Sequence, residues 1–213
     1  MPASYTFMQC LNPDCGLRFP LDLDAFSGQY CPRCGQDLQA CTPQLQQWKP
    51  DSMEVGGKNL HLIADNIRSA HNIGSIFRTS EAIGVKTIHL CGLTPTPETN
   101  PAVAKAALGS EQRVNWEYAP NAVTLVRQLK EAGFQMLALE CLPKAQSLFQ
   151  YSSTEPKGKI GLILGSEPAG IDPALLNLAD QTLYIPMCGE KSSLNVSVAF
   201  GVAVYSLFHH NIA

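Results

Sequence analysis

The sequence predicts an α/β fold: a mostly parallel sheet with helices on both faces, preceded by a small cysteine-rich module. Three observations carry that prediction. Five of the eight cysteines fall within the first 41 residues. Beyond Lys58, short apolar runs of strand length alternate with longer stretches of helical period, the pattern of parallel strands joined by crossover helices. A chain of 213 residues has room for one ordinary domain of about 150 residues and a minor module.

The module comes first. Cys10-x4-Cys15 and Cys31-x2-Cys34 are two thiol pairs, each followed at once by a glycine, Gly16 or Gly35. Each pair can close a tight turn that aims both sulfurs at one ion, and the glycine permits the backbone conformation such a turn needs. Four thiolates suit tetrahedral zinc with no open position, a structural site. A module of this size lacks a sufficient core, so a metal staple is physically useful. Cysteines buried as small hydrophobes are the alternative, and the paired spacing favours a zinc-ribbon-like module over residues 1–41. Cys41 stands outside the pairing, and Cys91, Cys141 and Cys188 are scattered and expected to pack.

Residues 42–57, rich in proline and polar residues and ending in Gly56-Gly57, read as a linker. Charge divides at the same place. Residues 1–57 carry three basic and six acidic side chains, whereas 58–213 carry twelve of each. The module therefore holds the whole net charge of −3, which argues against a phosphate-gripping role by bulk electrostatics.

The α/β domain then runs from residue 58 to 213. LHLIAD (60–65) is a strand. NIGSIFRTSEAIG (72–84) is a helix with Asn72 as N-cap and Ile73, Ile76, Phe77 and Ile83 on one face. VKTIHLCG (85–92) is a strand, followed by a proline-rich loop and a short helix near PAVAKAAL. NAVTLVRQLKEAG (121–133) is a helix capped by Asn121 and closed by Gly133. FQMLALE (134–140) and KIGLILG (159–165) are strands. DPALLNLAD (172–180) opens with Asp172 as N-cap and Pro173 at the first helical position. TLYIPM (182–187) is the last clear strand. The run after it is ambiguous: Val196 to Val204 alternates like a strand, while Ser193, Ser197 and Gly201 keep a four-residue helical spacing.

The N-terminus has neither a basic region nor an apolar stretch of signal-peptide type, and no apolar run reaches the roughly 18 residues of a membrane span. A reducing compartment, the cytoplasm or an organelle interior, is the expected location, the cytoplasm first, with metal ligation or free thiols rather than disulfides. The G-x-G-x-x-G and G-x-x-x-x-G-K-[ST] phosphate cradles, the G-x-S-x-G elbow and H-E-x-x-H are all absent.

Three stretches remain. Ser75, Arg78 and Thr79 share the polar side of the 72–84 helix, where a plain solvated face is the competing reading. LILGSEPAGI runs an apolar strand straight into a polar, glycine-bounded loop, a common place for a ligand and also for an ordinary turn. IPMCGEKSSLN leads from the last strand into the apolar run. Together, N-x5-R at Asn72–Arg78, GSEPAGI at 165–171 and IPM-x-G-x3-SLNVSVA at 185–199 resemble, in order and separation, the SPOUT-class RNA ribose methyltransferases of the TrmH/SpoU family.

The resemblance covers about residues 58–211 and implies a trefoil-knotted fold, an exception to the unthreaded chains of most domains. It implies a homodimer and makes the run after Ser193 a helix. It also implies S-adenosylmethionine (SAM) as methyl donor and the ribose 2′-hydroxyl of tRNA or rRNA as acceptor. Carried over residue by residue, Arg78 is the group at the reacting oxygen, as a base or as a cation that stabilises the alkoxide or anchors the adjacent phosphate. Asn72, Ser193 and Asn195 orient it and the ribose, and Glu167 braces the loops. Gly165, Ile185, Met187, Gly189 and Leu194 surround SAM. The acidic module departs from a basic RNA-binding extension and points to a protein partner or a narrow RNA feature. A non-catalytic RNA- or protein-binding adaptor on the same scaffold is the alternative, and an adaptor need not bind SAM.

Overall fold

The computed structural model describes residues 5–45, 59–151, 158–190 and 193–208. The chain divides into two compact units, Met1–Ser52 and Met53–Ala213. Most of the expected linker, residues 46–57, lies outside the described residues.

The first unit is an antiparallel three-stranded sheet of β1 (Tyr5–Cys10), β2 (Arg18–Asp22) and β3 (Leu38–Pro43), in the order β2-β1-β3. Strand β3 continues past residue 41 because its ladder with β1 reaches Pro43 opposite Thr6. These strands are short and mostly exposed on both faces, so no sustained alternation announced them.

The second unit is a seven-stranded sheet in which every pairing is parallel. Its elements are β4 (Leu60–Asp65), α1 (Ala70–Ile83), β5 (Thr87–Cys91), α2 (Pro101–Ala107), β6 (Trp116–Ala119) and α3 (Ala122–Glu131). There follow β7 (Phe134–Leu139), β8 (Gln146–Ser147), β9 (Lys159–Leu164), α4 (Pro173–Leu176), β10 (Gln181–Tyr184) and α5 (Val196–Phe208). The spatial order is β6-β5-β4-β9-β7-β10-β8. Two cores sandwich this sheet. Leu62, Leu90, Leu162 and Leu164 pack under α1, α2 and α5, and Ile63, Cys91, Met136 and Ile163 pack under α3 and α4. Adjacent residues of one strand, such as Leu62 and Ile63, thus serve opposite faces, which is why the strands read as continuous apolar runs.

The helix ends refine the expected ones. Asn121 and Asp172 cap α3 and α4 with their side chains, and Pro173 takes the first turn. Helix α4 stops at Leu176 rather than continuing to residue 180. Helix α1 starts earlier than expected: Ser69, not Asn72, is its N-cap, and the Ser69 hydroxyl accepts from the Asn72 amide at 3.3 Å. Asn72 therefore lies in the first turn, and its side chain is released for tertiary contacts.

Residues 196–208 are helical, and α5 packs on α1. Small residues allow the approach, with a Cβ at Gly201 just meeting the Thr79 methyl at 4.0 Å. Gly74 does the same for α2, because a Cβ there would overlap Ala106. Of the cysteines expected to pack, Cys91 is buried, but Cys141 and Cys188 are exposed. Among the described residues no helix is long and apolar enough to cross a membrane.

Candidate functional site

The C-terminal ends of β4, β9, β7 and β10 lie side by side on one edge of the sheet, and the loops leaving them carry the three motifs. Where the strand order reverses direction, such edges open a crevice. Here it is a cavity of about 450 Å³, lined by Leu139, Leu164, Gly165, Glu167, Ile185, Met187, Ser193, Leu194 and Asn195, among others. Its size lies in the range of small-molecule sites.

Side-chain hydrogen bonds tie the motifs together at its rim. Asn72 Nδ2 donates to Glu167 Oε1 at 2.9 Å, and Asn195 Nδ2 donates to Asn72 Oδ1 at 3.0 Å. The second carboxylate oxygen of Glu167 accepts from the Arg68 amide at 3.1 Å. Asn195 Oδ1 accepts from the Ser197 amide and hydroxyl at 2.9 and 2.7 Å, and its carbonyl accepts from Ala199. Asn195 is thus the N-cap of α5, so the relay runs from the GSEPAGI loop through α1 to the start of α5.

Burial works against the ionised form of Glu167, but the amides of Arg68, Glu167 itself and Ser69, with the Asn72 side chain, outweigh it. Together they hold the carboxyl below its ordinary value of 4.5. A depressed acid stabilises the fold fully above its unfolded pKa, and that contribution is lost as pH falls through the lowered one. Glu167→Gln is therefore expected to flatten the acid limb of the second unit's stability below about pH 4.5, measured by urea melts over a pH series.

The GSEPAGI loop is pinned at its neck. Ser166 and Gly170 exchange amide–carbonyl hydrogen bonds at 3.1 and 2.8 Å, and Gly170 has φ +71°. Gly165 packs so closely there that a Cβ would overlap the Gly170 carbonyl and the Ile171 amide nitrogen. Gly165→Ala must displace backbone and is expected to cost about 1–3 kcal/mol. It should widen the cavity neck, read as a lowered melting temperature together with weakened SAM binding by calorimetry.

The residues expected at the site divide in three. Gly165, Glu167, Ile185, Met187, Ser193, Leu194 and Asn195 line the cavity. Asn72 joins it through the relay. Gly189 does not line it and has nothing within 4 Å of its Cβ position, and Arg78 is exposed on α1 next to the Thr79–Gly201 contact. Residues 191 and 192 of the third motif lie outside the described residues. Sequence reasoning missed Glu140, which lines the cavity and accepts from the Ile171 amide through Oε2 at 3.0 Å. A carboxylate closing the largely apolar run FQMLALE was the available signal.

In the first unit, the sulfurs of Cys10, Cys15, Cys31 and Cys34 all lie within 4.8 Å of one another. Cys10 and Cys34 are 3.4 Å apart, and Cys15 and Cys31 are 3.8 Å apart. Four sulfurs at about 2.3 Å from a tetrahedral zinc stand about 3.8 Å from each other, so the donor set could hold that ion. Burial resists ionisation of Cys31, but the amides of Arg33 and Cys34 bring its thiol down to about 7. Gly16 and Gly35, with φ +55° and +75°, turn the two knuckles. Cys41 is exposed and outside the cluster.

A model of the SpoU rRNA Methylase family matches residues 59–205. The chain belongs to this family. Among SpoU relatives, the tRNA (guanosine(18)-2′-O)-methyltransferase of Aquifex aeolicus is 31% identical over 154 residues, 72% of this chain and 70% of that one. The 23S rRNA (guanosine-2′-O-)-methyltransferase RlmB of Acinetobacter baylyi is 31% identical over 68% of this chain and 58% of its own length. This chain therefore spans less than two thirds of that relative. Among solved structures, the A. aeolicus TrmH/SpoU tRNA modifying enzyme superposes with TM-score 0.62 at 31% identity, covering 70% of this chain and 74% of that one. The AdoMet-bound rRNA methyltransferase of Sinorhizobium meliloti gives 0.66 at 26% identity, covering 83% and 66%.

Proposed function

We propose that this SpoU-family chain is a SAM-dependent RNA methyltransferase that modifies a ribose 2′-hydroxyl of tRNA or rRNA. The observation that carries the reading is the Glu167–Asn72–Asn195 relay, which fastens three separate motifs around one ligand-sized cavity. Family membership and the activities of the relatives support it.

The cavity fits the donor. Leu139, Leu164, Ile185, Leu194 and Val196 offer apolar cover for an adenine ring, and beyond Tyr184 the chain leaves the ladder, so its peptide groups are available to read a polar edge. When bound, SAM supplies a methyl group already activated on a sulfonium. The demanding part is the acceptor, a neutral hydroxyl that must shed its proton as it attacks. Arg78 acts as a cation beside the developing alkoxide or the adjacent phosphate. Ser193 and Asn195 hold the ribose, Asn72 sets the start of α1, and Glu167 braces the relay.

The reading extends to the whole chain. Residues 58–213 form the SPOUT methyltransferase domain, 42–57 the linker and 1–41 a zinc-ribbon-like module with Cys10, Cys15, Cys31 and Cys34 on structural zinc. That module recognises a protein partner or a narrow RNA feature. Threading of the trefoil kind is supported by β10, which inserts between β7 and β8 although those two strands adjoin in sequence. A homodimer is supported by Val198 and Tyr205, apolar side chains 52% and 45% exposed on α5. The cytoplasm, where tRNA and rRNA reside, is the proposed location.

The test is incubation of total RNA with labelled SAM, followed by mapping of the modified nucleotide. A 2′-O-methylated ribose is expected. SAM binding without RNA labelling would favour a non-catalytic adaptor, and no SAM binding would remove the methyltransferase reading altogether.

A further inference from the structure

A second cavity opens on the same sheet edge, and the relay does not use it. It measures about 430 Å³ and lies between strand β6 and the loop 92–100. Trp116 and Tyr118 form its wall from alternate positions of β6, both on the sheet face that α1 and α5 cover. Leu93, 77% exposed, forms its lip, and Glu98 and Asn100 supply its polar rim.

This cleft is rigidly joined to the methyl-transfer site. Asn66 Oδ1 accepts from the Leu93 amide at 3.0 Å, and Thr94 Oγ1 accepts from the Ile67 amide at 3.1 Å while donating to the Ala64 carbonyl at 3.0 Å. A Cβ on Gly92 would overlap Asn66 Oδ1, so that clasp requires glycine. Arg68, which follows Ile67, holds Glu167 through its amide. The Tyr118 hydroxyl donates to the Gly92 carbonyl at 3.0 Å, which fixes the ring against the loop. From β5 to β9 the edge crosses two strand spacings, about 10 Å.

The lining has aromatic faces, one carboxylate, amide and hydroxyl groups, and no lysine, arginine or histidine. Such a cleft repels phosphate but accepts a flat heteroaromatic ring, which stacks on an aromatic side chain whatever its sequence. Carboxylate oxygens at the rim accept from exocyclic amino groups, which cytosine has and uracil lacks.

We infer that this cleft takes an unstacked, amino-bearing nucleobase of the RNA substrate, beside the nucleotide presented for methylation. The inference rests on the methyltransferase reading for its RNA. Ring stacking on Tyr118 and Trp116 gives the cleft its affinity, and Glu98 gives it its preference for an amino group.

The chain contains two tryptophans, Trp48 and Trp116, so Trp48→Phe leaves Trp116 as the sole reporter. In that full-length background, short oligocytidylate RNA is expected to quench Trp116 fluorescence saturably, and oligouridylate more weakly. Tyr118→Ala should weaken the binding on the order of tenfold, Tyr118→Phe should not, and Glu98→Gln should erase the preference for cytosine. Absence of saturable quenching by either RNA, or quenching indifferent to Tyr118→Ala, overturns the subsite. Calorimetry with SAM on the same protein separates the two readings. Heat of SAM binding without quenching sinks the base cleft alone, and no heat sinks the methyltransferase reading beneath it.

Discussion

Arg78→Ala is expected to lower methyl transfer to RNA by a factor of roughly 10² to 10³, the usual effect of removing one charge-stabilising group from a reacting oxygen. SAM affinity and the melting temperature should stay at wild-type values. The reason lies in where Arg78 sits. It is exposed on α1, and among the described residues it forms no ion pair. Its helix, however, is closely constrained. Ser69 caps it, Asn72 ties its first turn to Glu167 and Asn195, and Thr79 abuts Gly201 of α5. An exposed cation on a fixed helix is an arrangement that serves an incoming anion or alkoxide. Arg78→Lys refines the outcome. A point charge retains part of the rate if only charge matters, whereas a planar fork gripping phosphate is not replaced by lysine. Label incorporation at the mapped nucleotide is the measurement, and full activity in Arg78→Ala would overturn the assignment.

Much of this site was legible before any coordinates, and the limits were physical ones. Strand β4 and the caps Asn121 and Asp172 follow from local rules, and the structure places them where those rules do. The N-cap of α1 did not follow, because Ser69 and Asn72 are both good capping residues and periodicity cannot choose between them. The difference has functional weight, since an Asn72 spent on capping could not bridge Glu167 and Asn195. Strand β6 escaped notice because WEYA is a four-residue strand at the sheet edge, too short for its Trp116–Tyr118 alternation to stand out. Its two aromatic residues line the second cleft. The pairings Asn72–Glu167 and Asn195–Asn72 span 95 and 123 residues, a range that no local pattern encodes. The resemblance put these residues at one site but did not give the pairings.

The cysteine module supports a prediction of comparable size. Its described residues bury only three apolar side chains, Met8, Cys10 and Cys31, and two of these are metal ligands in the proposed site. Ordering each residue costs about 1–2 kcal/mol of backbone entropy, far beyond what one buried methionine offsets. In the proposed site an ion would make up the difference, since structural zinc in small modules contributes roughly 10–16 kcal/mol at pH 7. Metal analysis of the purified chain should therefore find one zinc per chain. Cys31→Ser, or a strong chelator, should unfold the module, read as rapid proteolysis confined to the first 45 residues. The second unit should keep its melting transition, because its two cores contain none of the four ligand cysteines. Cys41→Ser should retain the full metal content, since Cys41 lies outside the cluster. Zinc far below one per chain would remove the metal from the account. Persistence of the three-stranded sheet after chelation would show that β1, β2 and β3 have a source of stability other than the ion.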